Sequence, residues 1–320
     1  MQMKLLVISG DFRQYLDSSF HSLMTALADL LELYLWHESG SIKDILPLLP
    51  STPDFVLLNE PGEINSPVID ELSSLSIPYA VYLHDLHHDS CKEALQDKKL
   101  CWVFTRYRDR FRDWYPEWQN RMSWLPHHID SNIFKDYHLP KTIDYLMMGA
   151  LHEYIYSLRY KIREKMTEKP GFVYHEHPGY KHFSPAEMKK LFVGPNYARE
   201  INRAKLFLSC DSVYKYPLLK YFEVLACNTL LLAPSSPELL DLGFVPGVHF
   251  VEIDELNFEE KAEYYLKHEK ERKEIARQGY EMVREKHSST RRAAQLLEMI
   301  EGILESYSSF PHSRPWLRTI

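Results

Sequence analysis

The sequence predicts two doubly wound α/β domains in tandem, each built on a parallel sheet. Three observations carry this. Short apolar runs alternate with helix-period segments along most of the chain. The runs are near-continuous, as in "KLLVISG", "DFVLLNE" and "TLLLAP", which is the pattern of strands covered on both faces. The alternation pauses at a Pro- and His-rich stretch, Trp124 to Thr142, and then restarts. A length of 320 residues also exceeds what one core usually organises.

In the first half, Lys4–Gly10 reads as a strand ending in glycine, and "SSFHSLMTALADLLE" follows with helical spacing. "LELYLWH", Asp54–Glu60, Ile77–Asp85 and Leu100–Arg106 read as further strands. The stretch from Trp124 to Thr142 reads as a linker, with His127 and His128 on its surface. In the second half, Ile143–Ala150 is a strand ending at a glycine, with helical "SLRYKIREKM" after it. "FVYHEH", "KLFLSCD", "TLLLAP" and "HFVEID" are strands, and "REINRA" is a short helix. "LLKYFEVLAC" is a helix with apolar Leu218, Leu219, Phe222, Leu225 and Ala226 on one face. Asn228 suits the left-handed residue that closes many helices. "PSSPE" starts the next helix, with serine as N-cap and Pro237 at its first position. From Phe258 to about Tyr307 the chain is helical and laced with i,i+4 charge pairs. The expected boundaries are 1–138, 139–306 and a C-terminal tail, 307–320, that returns to the first domain.

Composition narrows the function classes. The chain is 45% hydrophobic and 26% charged with net charge −7, ordinary for a globular protein and without a nucleic-acid footprint. The four cysteines form no CxxC pair and sit in apolar surroundings, which suggests reduced thiols. The apolar run after the first residues is too short for a signal-peptide core, and no window reaches the length of a transmembrane segment. A cytoplasmic location is the expectation.

Doubly wound sheets bind ligands beyond the carboxyl ends of their strands. The candidates are therefore Gly10 and Asp11, His84 and Asp85, Gly149, Ser209 to Asp211, and Ser235 to Glu238. No GxGxxG follows the first strand, so a dinucleotide fingerprint is absent; "SGDFRQYLDSSF" reads equally as a plain strand-to-helix turn capped by Asp17 or Ser18. His84 and Asp85 stand where a proton-transfer or acceptor-binding pair is useful, while His87, His88 and Asp89 read as a solvated loop. The His175/His177 pair alternates along a strand, and a metal there needs further ligands. Glu223 sits beside the apolar face of its helix. It is either a surface partner of Lys220 at i,i+3 or a carboxylate held for a ligand.

At this point the sequence resembles a family. "LLKYFEVLACNTLLLAPSSPELLD", "FVPGVHFVEID" and "IARQGYEMVREKHSSTRRAAQLLEMI" are similar to the carboxyl-terminal domain of group 1 glycosyltransferases, most of all the CgeB-like spore-maturation branch. "LPHHIDSNIF" resembles the family's domain junction. The resemblance implies a GT-B fold, with two Rossmann-like domains facing across a cleft, the first for the acceptor and the second for a nucleotide-sugar donor. It implies a hexosyltransferase-type enzyme that uses a nucleotide-diphosphate sugar and an acceptor that is a glycan, a protein or a small molecule. It implies no metal and no other cofactor. Glu223 then accepts hydrogen bonds from the donor ribose, and Lys220 and Arg159 face the diphosphate. Asn196 and Tyr197 lie near the base, unless the tyrosine only packs and Arg159 only faces solvent. Asn228 replaces the family's usual glycine. Lys215 stands where many relatives keep a second glutamate, so the resemblance leaves a retaining outcome open. The alternative reading is a non-catalytic nucleotide- or sugar-binding, or coat-associated, protein of the same fold.

Overall fold

A computed structural model describes residues 2–63 and 65–309. Its strands are β1 (Lys4–Ile8), β2 (Glu32–Trp36), β3 (Gly40–Ser41), β4 (Phe55–Asn59), β5 (Ile69–Asp70), β6 (Tyr79–Leu83), β7 (Trp102–Thr105), β8 (Met122–Trp124), β9 (Ile143–Met148), β10 (Phe172–His175), β11 (Ala204–Leu208), β12 (Leu230–Ala233) and β13 (Val251–Glu252). Its α-helices are α1 (Ser19–Ala28), α2 (Ile42–Ile45), α3 (Asp89–Ala94), α4 (Arg108–Trp114), α5 (Ser157–Met166), α6 (Pro185–Met188), α7 (Gly194–Asn202), α8 (Leu219–Ala226), α9 (Pro237–Asp241), α10 (Phe258–Lys267), α11 (Glu269–Lys286) and α12 (Ser289–Ser309). The chain divides into two compact units. Among the described residues, one takes in residues 2–11, 21–126 and 292–309; the other takes in Phe12–Phe20 and His127–Arg291.

The first unit carries a six-stranded parallel sheet in the order β2-β1-β4-β6-β7-β8. Its inner strands β4 and β6 are buried at every position, which is why they read as unbroken apolar runs. Edge strand β2 is partly exposed throughout. The tail expected over 307–320 lies, from residue 310 on, outside the described residues.

The second unit carries a five-stranded parallel sheet in the order β10-β9-β11-β12-β13. Tyr145, Met147, Leu206, Leu208, Leu230 and Leu232 form one face of its core, against Ile162 and Met166 of α5 and Ile275 of α11. Each such side chain, fully buried, contributes about 1.5–3 kcal/mol relative to exposure. Asn228 closes α8 with φ +50°, as its type suggests. Ser236 caps α9, accepting from the Leu239 N–H at 3.2 Å. The long helical stretch is three helices, broken around His268 and between Lys286 and Ser289. Its charge ladder includes Lys273–Glu269 and Arg277–Glu281 at i,i+4. Among the described residues no helix is long and apolar enough to cross a membrane. All four cysteines are buried and unbridged.

Two local expectations need correction. His127 and His128 are 5% and 2% exposed, so they are core rather than linker surface. The His128 Nε2 lies 2.8 Å from the Ser19 carbonyl, and the Ile129 N–H donates to the His287 carbonyl at 2.9 Å. The junction is thus threaded into the second unit. Residues 12–20 are also no simple turn: they join the second unit, where the Phe183 N–H donates to the Gln14 carbonyl at 2.8 Å and Tyr15 packs edge-on to His182. Asp17 still caps, accepting from the Ser19 N–H at 2.8 Å.

Candidate functional site

In the second unit the chain begins in β9, steps outward to β10, then crosses back to β11 and continues the other way. The reversal lies between β9 and β11, and that crevice is where a doubly wound sheet accepts a ligand. The residues just beyond it are Gly149 and Ser209.

Gly149 has φ +136°, a conformation that favours glycine. A Cβ there would stand 3.0 Å from Arg159 Nη1 and 3.2 Å from Lys220 Cε. Two cations from two different helices therefore rest on one bare stretch of backbone. Arg159, in the first turn of α5, is 3% exposed; its Nη1 donates to the Ala150 carbonyl at 2.9 Å, and its guanidinium lies 4.3 Å from the centre of the Tyr156 ring. Its Nε is buried with no hydrogen-bond partner among the described residues. It is not a solvent-facing helix arginine. Lys220 is the second residue of α8, and its Nζ lies 5.6 Å from the Tyr197 ring centre. Burial, and then the Arg159 charge, lower its pKa to about 8. The positive end of α8 adds to the same field.

One turn along α8, Glu223 is 8% exposed. Burial raises its carboxyl to about 7; Lys220 opposes that shift and Asp17 adds to it. Among the described residues it makes no direct ion pair with Lys220, so the surface-pair reading does not hold. A carboxylate buried with no ion pair to balance it is costly, and one kept at such a place is a candidate for ligand binding. The Tyr197 hydroxyl lies near it, and burial, then Glu223, push the phenol well above its ordinary pKa.

Close by, the Oγ atoms of Ser209 and Ser212 are buried with no hydrogen-bond partner among the described residues. Orphaned groups of this kind are rare in a finished core. Asn196 is different: its amide donates to the Met188 and Leu191 carbonyls at 2.9 and 3.3 Å, so both donors brace the preceding loop. Lys215, with φ +59°, is exposed and pairs with Asp211 at 2.8 Å.

In the first unit the reversal lies between β1 and β4. Beyond β1 come Ser9, Gly10 and half-buried Asp11; the Ser9 Oγ accepts from Asn59 Nδ2 at 3.2 Å. His84, 6% exposed, places Nδ1 3.0 Å from Glu60 Oε2. Glu60 follows β4 with φ +47°. Asp85 is exposed, while His88 pairs with Glu63 at 2.9 Å. Glu60 escaped sequence reasoning because its partner lies far along the chain.

The other histidines divide. His175 pairs with Glu200 at 2.9 Å, whereas the His177 Nδ1 accepts from the Gly179 N–H at 3.1 Å. Among the described residues no group of three or more His, Cys, Asp or Glu side chains is placed to hold a metal ion.

This arrangement of sheets recurs in solved structures. Sucrose-phosphate synthase from Thermosynechococcus elongatus superposes with a TM-score of 0.66 at 11% identity, covering 96% of this chain and 100% of its own. HepE from Anabaena, in complex with UDP-glucose, gives 0.63 at 10% identity, covering 94% and 100%. A glycosyltransferase from Rickettsia africae gives 0.61 at 9% identity, covering 94% and 98%. The fold is GT-B. Residues 159–298 match a family described as glycosyl transferase-like. That span opens on Arg159 and contains Tyr197, Ser209, Lys220 and Glu223, so most of the crevice lies in the matched part of the GT-B chain. A search of curated proteins finds no match.

Proposed function

We propose that this chain is a glycosyltransferase that moves a sugar from a nucleoside-diphosphate sugar to an acceptor hydroxyl. The observation that carries the reading is the pair Arg159 and Lys220 on the bare backbone of Gly149, at the reversal of a parallel sheet. The leaving group of the reaction is a nucleoside diphosphate, and negative charge grows on it as the glycosidic bond breaks. Two preorganised cations stabilise that charge without moving. In this reading they do what a bound metal does in other transferases, and the reaction is metal-independent. Glu223, with two acceptor oxygens, takes the ribose hydroxyls. Tyr197 borders the base. Ser209 and Ser212 offer hydroxyls for the remaining polar edge. His84, oriented by Glu60, receives the proton of the acceptor hydroxyl.

HepE is described in complex with UDP-glucose, which favours a UDP-sugar as the first donor to try. A thermal-shift panel of UDP-, GDP-, dTDP-, ADP- and CDP-sugars tests the reading. One donor class should raise the melting temperature, Lys220→Ala should weaken that shift, and Glu223→Ala should weaken it for ribonucleotides. A panel with no shift, or a shift unchanged in both variants, overturns the assignment.

A further inference from the structure

The chain just beyond β10 holds a histidine that the donor reading does not use. The Gly149 N–H donates to the His175 carbonyl at 3.2 Å, and the Tyr174 hydroxyl donates to the Gly149 carbonyl at 2.9 Å. The end of β10 is thereby tied to the glycine on which Arg159 and Lys220 rest. His177 follows two residues later, half-buried and tilted over Tyr180 at 4.5 Å between ring centres. Its Nδ1 accepts from the Gly179 backbone N–H. An accepting nitrogen carries no proton, so in the neutral ring the proton is on Nε2.

Resting on the donor-site reading, we propose that His177 is a third hydrogen-bond donor of the diphosphate subsite, presenting Nε2–H to the anion that Arg159 and Lys220 hold. The leading charges acting on the ring are those of Lys220 and Arg159. Burial first, and those cations next, lower its pKa to about 4, so the ring is neutral at physiological pH. A third cation packed beside two others would add repulsion to the empty site. A neutral ring adds a directed donor without that repulsion, and the Gly179 bond fixes which nitrogen donates.

The test is calorimetric titration of UDP, GDP, ADP, inorganic pyrophosphate and the matching nucleosides into wild type, His177→Ala and His177→Gln. His177→Ala should raise Kd about tenfold for pyrophosphate and for whichever diphosphate binds, the loss expected for one hydrogen bond to a charged group. His177→Gln, whose amide nitrogen reaches the same place, should restore most of it. Nucleoside affinity should not change. Equal diphosphate binding by wild type and His177→Ala overturns the role of His177 alone. So does a loss that extends equally to the nucleoside, because that marks a packing role. Failure of wild type to bind any diphosphate or pyrophosphate overturns the donor reading itself, and this inference with it.

Discussion

Gly149 and Arg159 share one space: a Cβ on the glycine would stand 3.0 Å from the arginine Nη1, with Lys220 Cε at 3.2 Å on the same atom. A strand end, a helix arginine and a helix lysine are thus packed on a single atom position. Gly149→Ala asks for a side chain both at φ +136° and in that space. It should cost about 1–3 kcal/mol of stability through backbone strain. It should also move both cations and weaken nucleoside-diphosphate binding about tenfold or more. Calorimetry of the diphosphate, beside a thermal melt, checks both. A variant that binds as wild type would show that the cations do not need this floor.

Glu223 makes the stability of the empty protein depend on pH. Its carboxyl is raised from 4.5 to about 7, chiefly by burial. Between those values the folded state holds more protons than the unfolded one, so stability falls as pH rises. Above about 7 the penalty is fully present. Glu223→Gln removes it, so the variant should gain on wild type between pH 5 and 8, by an amount on the order of 1–3 kcal/mol. Melts of both proteins across that range check this, since groups that do not interact with Glu223 cancel in the difference, and Lys220, which does, titrates near its upper end, at about 8. A difference flat with pH would mean that Glu223 is ionised at no cost.

What was legible in the sequence follows from which interactions are local. Strands covered on both faces leave unbroken apolar runs, and β4 and β6 are buried at every residue. Asn228 at φ +50° and the Ser236 cap were readable because turn and cap chemistry resides in one or two residues. The role proposed for Lys220 and Glu223 came only through a resemblance; spacing alone could not separate a surface pair from a buried one, since both place an acid three residues from a base. Glu60 was invisible because its bond to His84 joins the ends of two different strands. Residues 12–20 looked like a turn, although Phe12 and Tyr15 are large apolar groups for one. Their packing, at 5.4 Å between ring centres and against His182, is tertiary. His127 and His128 looked like polar linker, yet each is buried, and His128 is bonded to the backbone of Ser19.

A change at His84 tests the proposed split between proton transfer and donor binding. Its Nδ1 is held by Glu60 at 3.0 Å in the first unit, whereas Lys220 and Glu223 belong to the second. His84→Gln keeps a hydrogen-bonding side chain at the position. It should leave the diphosphate Kd within about twofold of wild type and reduce transfer about 100-fold or more, the range of a lost general base. Binding calorimetry and turnover of the donor identified by the panel check the split. Loss of binding and turnover together would assign His84 to structure rather than to proton transfer.

The platform that holds α8 has its own prediction. Gly279 of α11 faces α8 so closely that a Cβ there would stand 2.4 Å from the His249 carbonyl oxygen and 2.9 Å from Leu225 Cγ. The glycine is helical, so backbone freedom is not the reason for it; close approach is. Leu225 is fully buried and lies on the helix that carries Lys220 and Glu223. A carbonyl oxygen cannot move aside as a flexible side chain can, so Gly279→Ala must push α11 away from the His249 backbone and press on Leu225 of α8. Overpacking of this kind costs about 1–3 kcal/mol, which outweighs the gain of less than about 1 kcal/mol that alanine brings to a helix. The melting temperature should therefore fall, although helix propensity alone predicts a rise. Diphosphate affinity should weaken as well, because α8 carries both charges of the proposed donor site. A stabilised Gly279→Ala variant with unchanged affinity would show that the two helices tolerate separation.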